Sequence, residues 1–77
     1  MDQDWDAELD ATGLQCPLPV LKARRRLRDM SEGQVLRILT DDPAAVVDFP
    51  HFCDEQGHGM VKYCTSALPF EFLVRKG

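Results

Sequence analysis

The chain has no apolar run long enough to cross a membrane, and its opening Met1-Asp2-Gln3-Asp4 is acidic, unlike a signal peptide. The expected compartment is the cytoplasm, with no membrane partner. Three cysteines form an odd count with no regular framework, so structural disulfides are not expected. No Cys-x-x-Cys occurs, which excludes a thioredoxin-like pair. Linkers, repeats and low-complexity stretches are missing too. Seventy-seven residues therefore read as one domain, 1–77, with residues 1–4 a loose start.

What the chain does have is an uneven charge distribution. The net charge is −4, yet five of its nine basic residues (Lys22, Arg24, Arg25, Arg26, Arg28) fall within seven positions. Such a cluster is either a solvated helix face or a docking patch for an acidic partner or RNA. The remainder is so acidic that no direct nucleic-acid binding is expected.

Just ahead of that cluster stands Cys16-Pro17-Leu18-Pro19. Proline at the first position of a helix loses nothing by lacking an N–H, so Cys16 reads as the cap and Pro17 as the first helical residue. A thiol there meets the positive end of the helix dipole, which favours thiolate. With Pro17 and Pro19 lacking donors, only the amides of Cys16 and Leu18 remain open. Two amides are too few to cradle a phosphate but suit one small anion, a thiolate or persulfide. The alternative is an inert buried cysteine, which is common for the residue type.

Alternation from Trp5 to Asp10 predicts a strand with Trp5, Ala7 and Leu9 on one side. Gly13 turns the chain. Val20, Ala23, Leu27 and Met30 form the buried stripe of the first helix, leaving Leu18 exposed beside the cysteine. Gln34–Thr40 is a second strand, with Leu36 and Ile38 on one face and Val35, Arg37 and Leu39 on the other. Asp41-Asp42-Pro43 opens a second helix from Ala44 to about Gln56, in which Pro50 should kink or break a turn. Strands over 60–66 and 70–76 follow, with Phe70, Phe72 and Val74 toward the helices. The order is β-α-β-α-β-β. It predicts an α+β two-layer sandwich with two helices on one face of a four-stranded sheet. The opposite face, with Val35, Leu39 and Leu73, is a candidate apolar association patch.

Cys53 and Cys64 read as small apolar fillers, one at core spacing and one mid-strand. His51 and His58 read as surface residues. Together these four fit no zinc spacing, so no metal is expected. No acid/base constellation accompanies the Cys16 motif, which disfavours a self-sufficient enzyme.

Asp10-x-x-Gly13-x-x-Cys16-Pro17-x-Pro19, Asp41-Asp42-Pro43, Pro50 and the ending Leu68-Pro69…Arg75-Lys76-Gly77 resemble the TusA (SirA-like) sulfur-carrier family. The resemblance runs from about Leu9 to the end. It implies two helices on a mixed four-stranded sheet. It also implies that Cys16 takes sulfane sulfur as a persulfide from a cysteine desulfurase or rhodanese-type donor. A downstream acceptor protein then receives it, in tRNA thiolation, molybdenum-cofactor maturation or sulfur oxidation. No cofactor beyond that covalent sulfur is implied, and the protein would be a cosubstrate more than a turnover enzyme. Asp10 and Gly13 would shape the loop that presents Cys16. Leu18, Lys22, Arg25 and Arg26 are the candidate docking residues, and a monomer is expected. A redox-sensing interaction module that uses the basic helix stays open as the other function class.

Overall fold

The architecture was read from a computed structural model that describes residues 4–77. Its elements are β1 (Ala7–Asp10), α1 (Leu18–Arg28), β2 (Val35–Thr40), α2 (Ala45–Gln56), β3 (Gly59–Cys64) and β4 (Phe70–Arg75). The strand order is β1-β2-β4-β3, with β1 parallel to β2 and β4 antiparallel to both its neighbours. This is the expected α+β fold, with a mixed sheet. The loose start expected for residues 1–4 falls largely on 1–3, outside the described residues.

Strict alternation in β2 builds the core face. Leu36, Ile38 and Thr40 are fully buried, while Val35, Arg37 and Leu39 between them are half-buried on the other side. Register sets Leu36 against Val74 and Ile38 against Phe72. Onto this surface pack Ala23 and Leu27 of α1 with Ala45, Phe49, Phe52 and Cys53 of α2. Phe49 stacks on Phe72 with centroids 5.0 Å apart and meets Phe52 edge-on at 6.4 Å. Offset aromatic pairs of this kind add to plain area burial.

The opposite face differs from the apolar patch that the sequence suggests. Arg37 sits at its centre and bonds Glu8 of β1 (2.6 Å) and Glu71 of β4 (2.5 Å), tying three strands together. Its guanidinium also lies 4.8 Å from the centre of the Trp5 ring. Trp5 precedes β1, so its side chain is not bound to the strand's alternation. It covers Arg37 instead of joining Ala7 and Leu9 against the core.

Two helix expectations are corrected. Pro17 is the N-cap of α1, and Leu18 is its first residue, so Pro19 takes the second position and is buried with Ala23 and Leu27 at four-residue spacing. Further on, α2 runs through Pro50 without a break. Pro50 deprives the Val46 carbonyl of its usual donor, yet the helix continues through both residues, which lie on its exposed side. At the far end of α1, Lys76 Nζ reaches the carbonyls of Met30 (2.6 Å) and Arg28 (3.3 Å). A cation there suits the negative end of the helix.

Phe49→Ala should lower unfolding free energy by about 3–5 kcal/mol, because a fully buried ring leaves a cavity. Val47→Ala, two residues away but exposed, should change it by less than about 0.5 kcal/mol. Chemical denaturation of the two variants checks the contrast, and equal losses would contradict this core.

Candidate functional site

The site is the loop that joins β1 to α1, held down by the loop that joins β2 to α2. At the end of β1, Asp10 Oδ1 accepts the Thr12 N–H (3.0 Å) and hydroxyl (2.6 Å), and these bonds hold its carboxyl below the usual range. Gly13 follows at φ +82°, a left-handed conformation that costs a glycine little. Its N–H donates to Asp41 Oδ1 at 3.0 Å. Three residues on, the Cys16 N–H donates to Asp42 Oδ2. Asp42 also accepts the Ala44 N–H through Oδ1 (3.2 Å) and donates its own N–H to the buried Thr40 hydroxyl (3.3 Å). One aspartate thus caps the approach to α2 and ties the cysteine loop to the end of β2.

Cys16 is exposed. It stands between two depressions. One, of about 530 Å³, is lined by Gly13, Leu14, Gln15, Asp41, Asp42 and Pro43. The other, of about 290 Å³, is a groove between α1 and α2 whose walls include Leu21, Arg24, Asp48, His51 and Glu55.

The electrostatics reverse the expectation from the helix start. Cys16 lies ahead of the cap and outside the first turn. The two amides expected to be open are taken, that of Cys16 by Asp42 and that of Leu18 by the Gln15 carbonyl (2.8 Å). The Cys16 thiol donates toward the Asp48 carboxylate, and this bond, with partial desolvation and the charges of Asp48 and Asp42, pushes it above the ordinary thiol range. At neutral pH Cys16 is a thiol.

The other two thiols separate in the opposite sense from their expected likeness. Cys53 is buried and pushed up to about 11 by desolvation, as suits a core filler. Cys64 is exposed at the end of β3, where a filler was expected. Strand β3 lies at the sheet edge and turns four successive residues, Val61 to Cys64, to solvent. Its thiol lies 3.6 Å from Ser66 Oγ, and bonds to the Ser66 side chain and backbone lower it from the ordinary range. His51 is exposed beside Glu55 (3.6 Å), but His58 is partly buried, with its ring 5.4 Å from that of Phe52. Among the described residues no three His, Cys, Asp or Glu side chains gather as metal ligands.

The basic residues of α1 divide between its flanks, because neighbouring helical positions lie about 100° apart. Arg24 faces the groove that contains Cys16. Lys22, Arg25 and Arg26 line a separate depression beside Leu9 and Asp29. Leu18 (45% exposed) and Leu21 (49%) are the apolar side chains on the surface near the thiol. Asp10 ends β1, Gly13, Pro17 and Leu18 belong to the loop and its junction with α1, and Pro19 belongs to the core. Asp48 was not singled out by sequence, and Arg24 only as a member of the basic cluster. No local spacing links either to Cys16, since the groove exists only once α1 and α2 pack.

Fold and site together define a two-layer α+β protein that presents one exposed thiol from a proline-framed loop. The family model for the sulfurtransferase TusA matches residues 7–76. A crystal structure of a SirA-like protein from Desulfitobacterium hafniense superimposes with a TM-score of 0.75 at 22% identity. The match covers 91% of this chain and 95% of that one, and it establishes the common fold. The chain belongs to the TusA sulfurtransferase family, whose members work as sulfur carriers in relays between donors and acceptors. No helix among the described residues is long and apolar enough to cross a membrane.

Thiol alkylation should rank the cysteines by thiolate fraction and access. At neutral pH iodoacetamide should modify Cys64 fastest, Cys16 more slowly and Cys53 slowest, read by peptide mass spectrometry. Raising the pH should speed Cys16 more than Cys64, because Cys64 is already further ionised. Fastest labelling at Cys16 at neutral pH would contradict the charge placement.

Proposed function

We propose that this protein carries sulfur as a persulfide on Cys16, taken from a cysteine desulfurase or rhodanese-type donor and passed to a downstream acceptor protein. The observation that carries the reading is an exposed thiol on a loop whose backbone is pinned at Gly13 and Cys16 while the sulfur itself stays open to solvent. Loading and discharge are both thiol exchange. The Cys16 sulfur bonds to the outer sulfur of the donor persulfide as the donor's sulfur–sulfur bond breaks. An acceptor thiolate later repeats the attack on the outer sulfur of Cys16. No bond changes oxidation state overall, so no cofactor is required.

Neither depression around Cys16 is lined by a second cysteine, and a carrier must not discharge onto itself. The protein then acts as a cosubstrate in the cytoplasm, for tRNA thiolation, molybdenum-cofactor maturation or sulfur oxidation. It works as a monomer with no bound metal or nucleic acid.

Incubation with a cysteine desulfurase and cysteine should add one sulfur atom to Cys16, visible by mass spectrometry. Cys16→Ser should abolish the adduct and Cys64→Ser should leave it. Equal loading of Cys16→Ser would end the relay reading.

Docking is proposed to use Leu18, Lys22, Arg25 and Arg26. Reversing charge at Arg25 and Arg26 should slow acceptance from an acidic donor several-fold at low salt and less at high salt. Unchanged rates at every ionic strength would remove that flank from the encounter.

A further inference from the structure

We propose that His58 is a pH-sensitive latch on the last turn of α1. While neutral it seats Gly77 and leaves Lys76 to cap that turn; on protonation it releases Gly77 and drives the Lys76 ammonium off α1. The latch is a property of the protein without sulfur and does not depend on the persulfide reading. Only its effect on docking does, through Arg25 and Arg26 in the same turn.

The seat is built by the end of α2. Gly57 reverses the chain with a left-handed backbone (φ +77°), and the His58 N–H donates to the Cys53 carbonyl at 2.9 Å. The imidazole is thereby partly buried, its ring centre 5.4 Å from that of Phe52. The Gly77 N–H donates to its Nδ1 at 3.1 Å. An imidazole nitrogen accepts only when it carries no proton, so this bond requires the neutral ring with its proton on Nε2. Gly77 also packs so closely on the turn that any side chain there would run into the Gly57 carbonyl.

Lys76, one residue back, connects the seat to α1. Its backbone prolongs the pairing of β2 with β4, its N–H on the Gln34 carbonyl (2.8 Å) and its carbonyl on the Gly33 N–H (2.9 Å). Its Nζ then reaches the carbonyls of Arg28 and Met30 where α1 ends. Carbonyls at a helix end lack an intrahelical donor, and this ammonium supplies one.

Charges on the elements around the ring are few. The last turn of α2 brings the exposed Asp54 and Glu55, with Glu55 against His51, and the neutral, buried Cys53 thiol. Strand β3 brings the exposed Lys62, and the end of β4 brings the exposed Arg75 and the half-buried Lys76. Burial first, and the Lys76 charge second, hold His58 below its ordinary range. Protonation therefore acts twice in one direction. It turns Nδ1 into a donor facing another donor, and it sets a second positive charge beside Lys76. Because the fold prefers the neutral ring, this stabilisation is complete above the ordinary value of about 6.5 and is lost as pH falls from there through the lower folded value. In mild acid the last turn of α1 loses its cap, and Arg25 and Arg26 lose their fixed placement.

Nitrogen-15 NMR of the sulfur-free protein, titrated from about pH 8 to about pH 5, tests the latch. The His58 ring should show the Nε2–H tautomer and a midpoint below about 6.5. The amides of Gly77 and of residues 28–30 should shift with that same midpoint. His58→Asn offers an amide oxygen in place of Nδ1 but does not titrate, so both shifts should vanish. In Lys76→Met the His58 midpoint should rise, and its titration should no longer move the end of α1; this variant decides the matter if His58→Asn folds poorly. A His58 midpoint at or above the ordinary value overturns the proposal. So does a response that survives His58→Asn, and so does a shift of Gly77 alone while residues 28–30 stay still. Failure of the protein to load sulfur from a desulfurase would instead sink the relay reading and leave the latch standing.

Discussion

Two adjacent carboxylates at the end of β2 hold the first loop of the protein in place. Asp41 takes the amide of Gly13 and Asp42 that of Cys16, across separations of 28 and 26 residues. Neither loop has regular structure, so the cysteine is only as well placed as these two bonds make it. They are charge-assisted, the stronger kind of hydrogen bond. Behind them the chain is rigid, because Asp42 is anchored on the buried hydroxyl of Thr40 and Thr40 ends the strand at the centre of the core face. The site therefore sits where the parallel strands β1 and β2 both end, and it inherits its precision from their pairing.

The same carboxylates decide the chemical temper of the site. A thiol at a helix N-terminus should ionise easily, yet here the helix starts one residue too late and its loose amides are spent. The charges of Asp48 and Asp42 act on the thiol and raise it above its ordinary range. For the proposed carrier role, what the site supplies is access: the thiol stands exposed on a loop held by Asp41 and Asp42. Charge on α1 follows from its pitch, with Arg24 turned to the cysteine groove and Lys22, Arg25 and Arg26 turned away from it.

Most of the architecture was legible from residue patterns. Alternation in 35–40 and 70–74 located the two central strands, and three- and four-residue spacing located Ala23 and Leu27 beneath α1. Asp42 and Pro43 marked the start of α2 to within a residue, and the cysteine motif carried the family. Misreadings arose where local pattern and tertiary environment part. Trp5 looked like a core residue because it continues the alternation of β1, but the strand begins after it and Arg37 offers its ring a partner. Cys64 looked buried because strand interiors usually are, but β3 is an edge. Pro50 looked disruptive, but it stands on the exposed side of α2, which runs on through it.

Local sequence alone determined the elements and the placing of an exposed thiol just ahead of α1, since propensity, periodicity and proline geometry act between near neighbours along the chain. The ionisation of that thiol was decided only by tertiary structure. Coulomb interactions and hydrogen bonds depend on distance in space, and Asp42 and Asp48 come near Cys16 only after α2 has folded back onto the sheet beside α1.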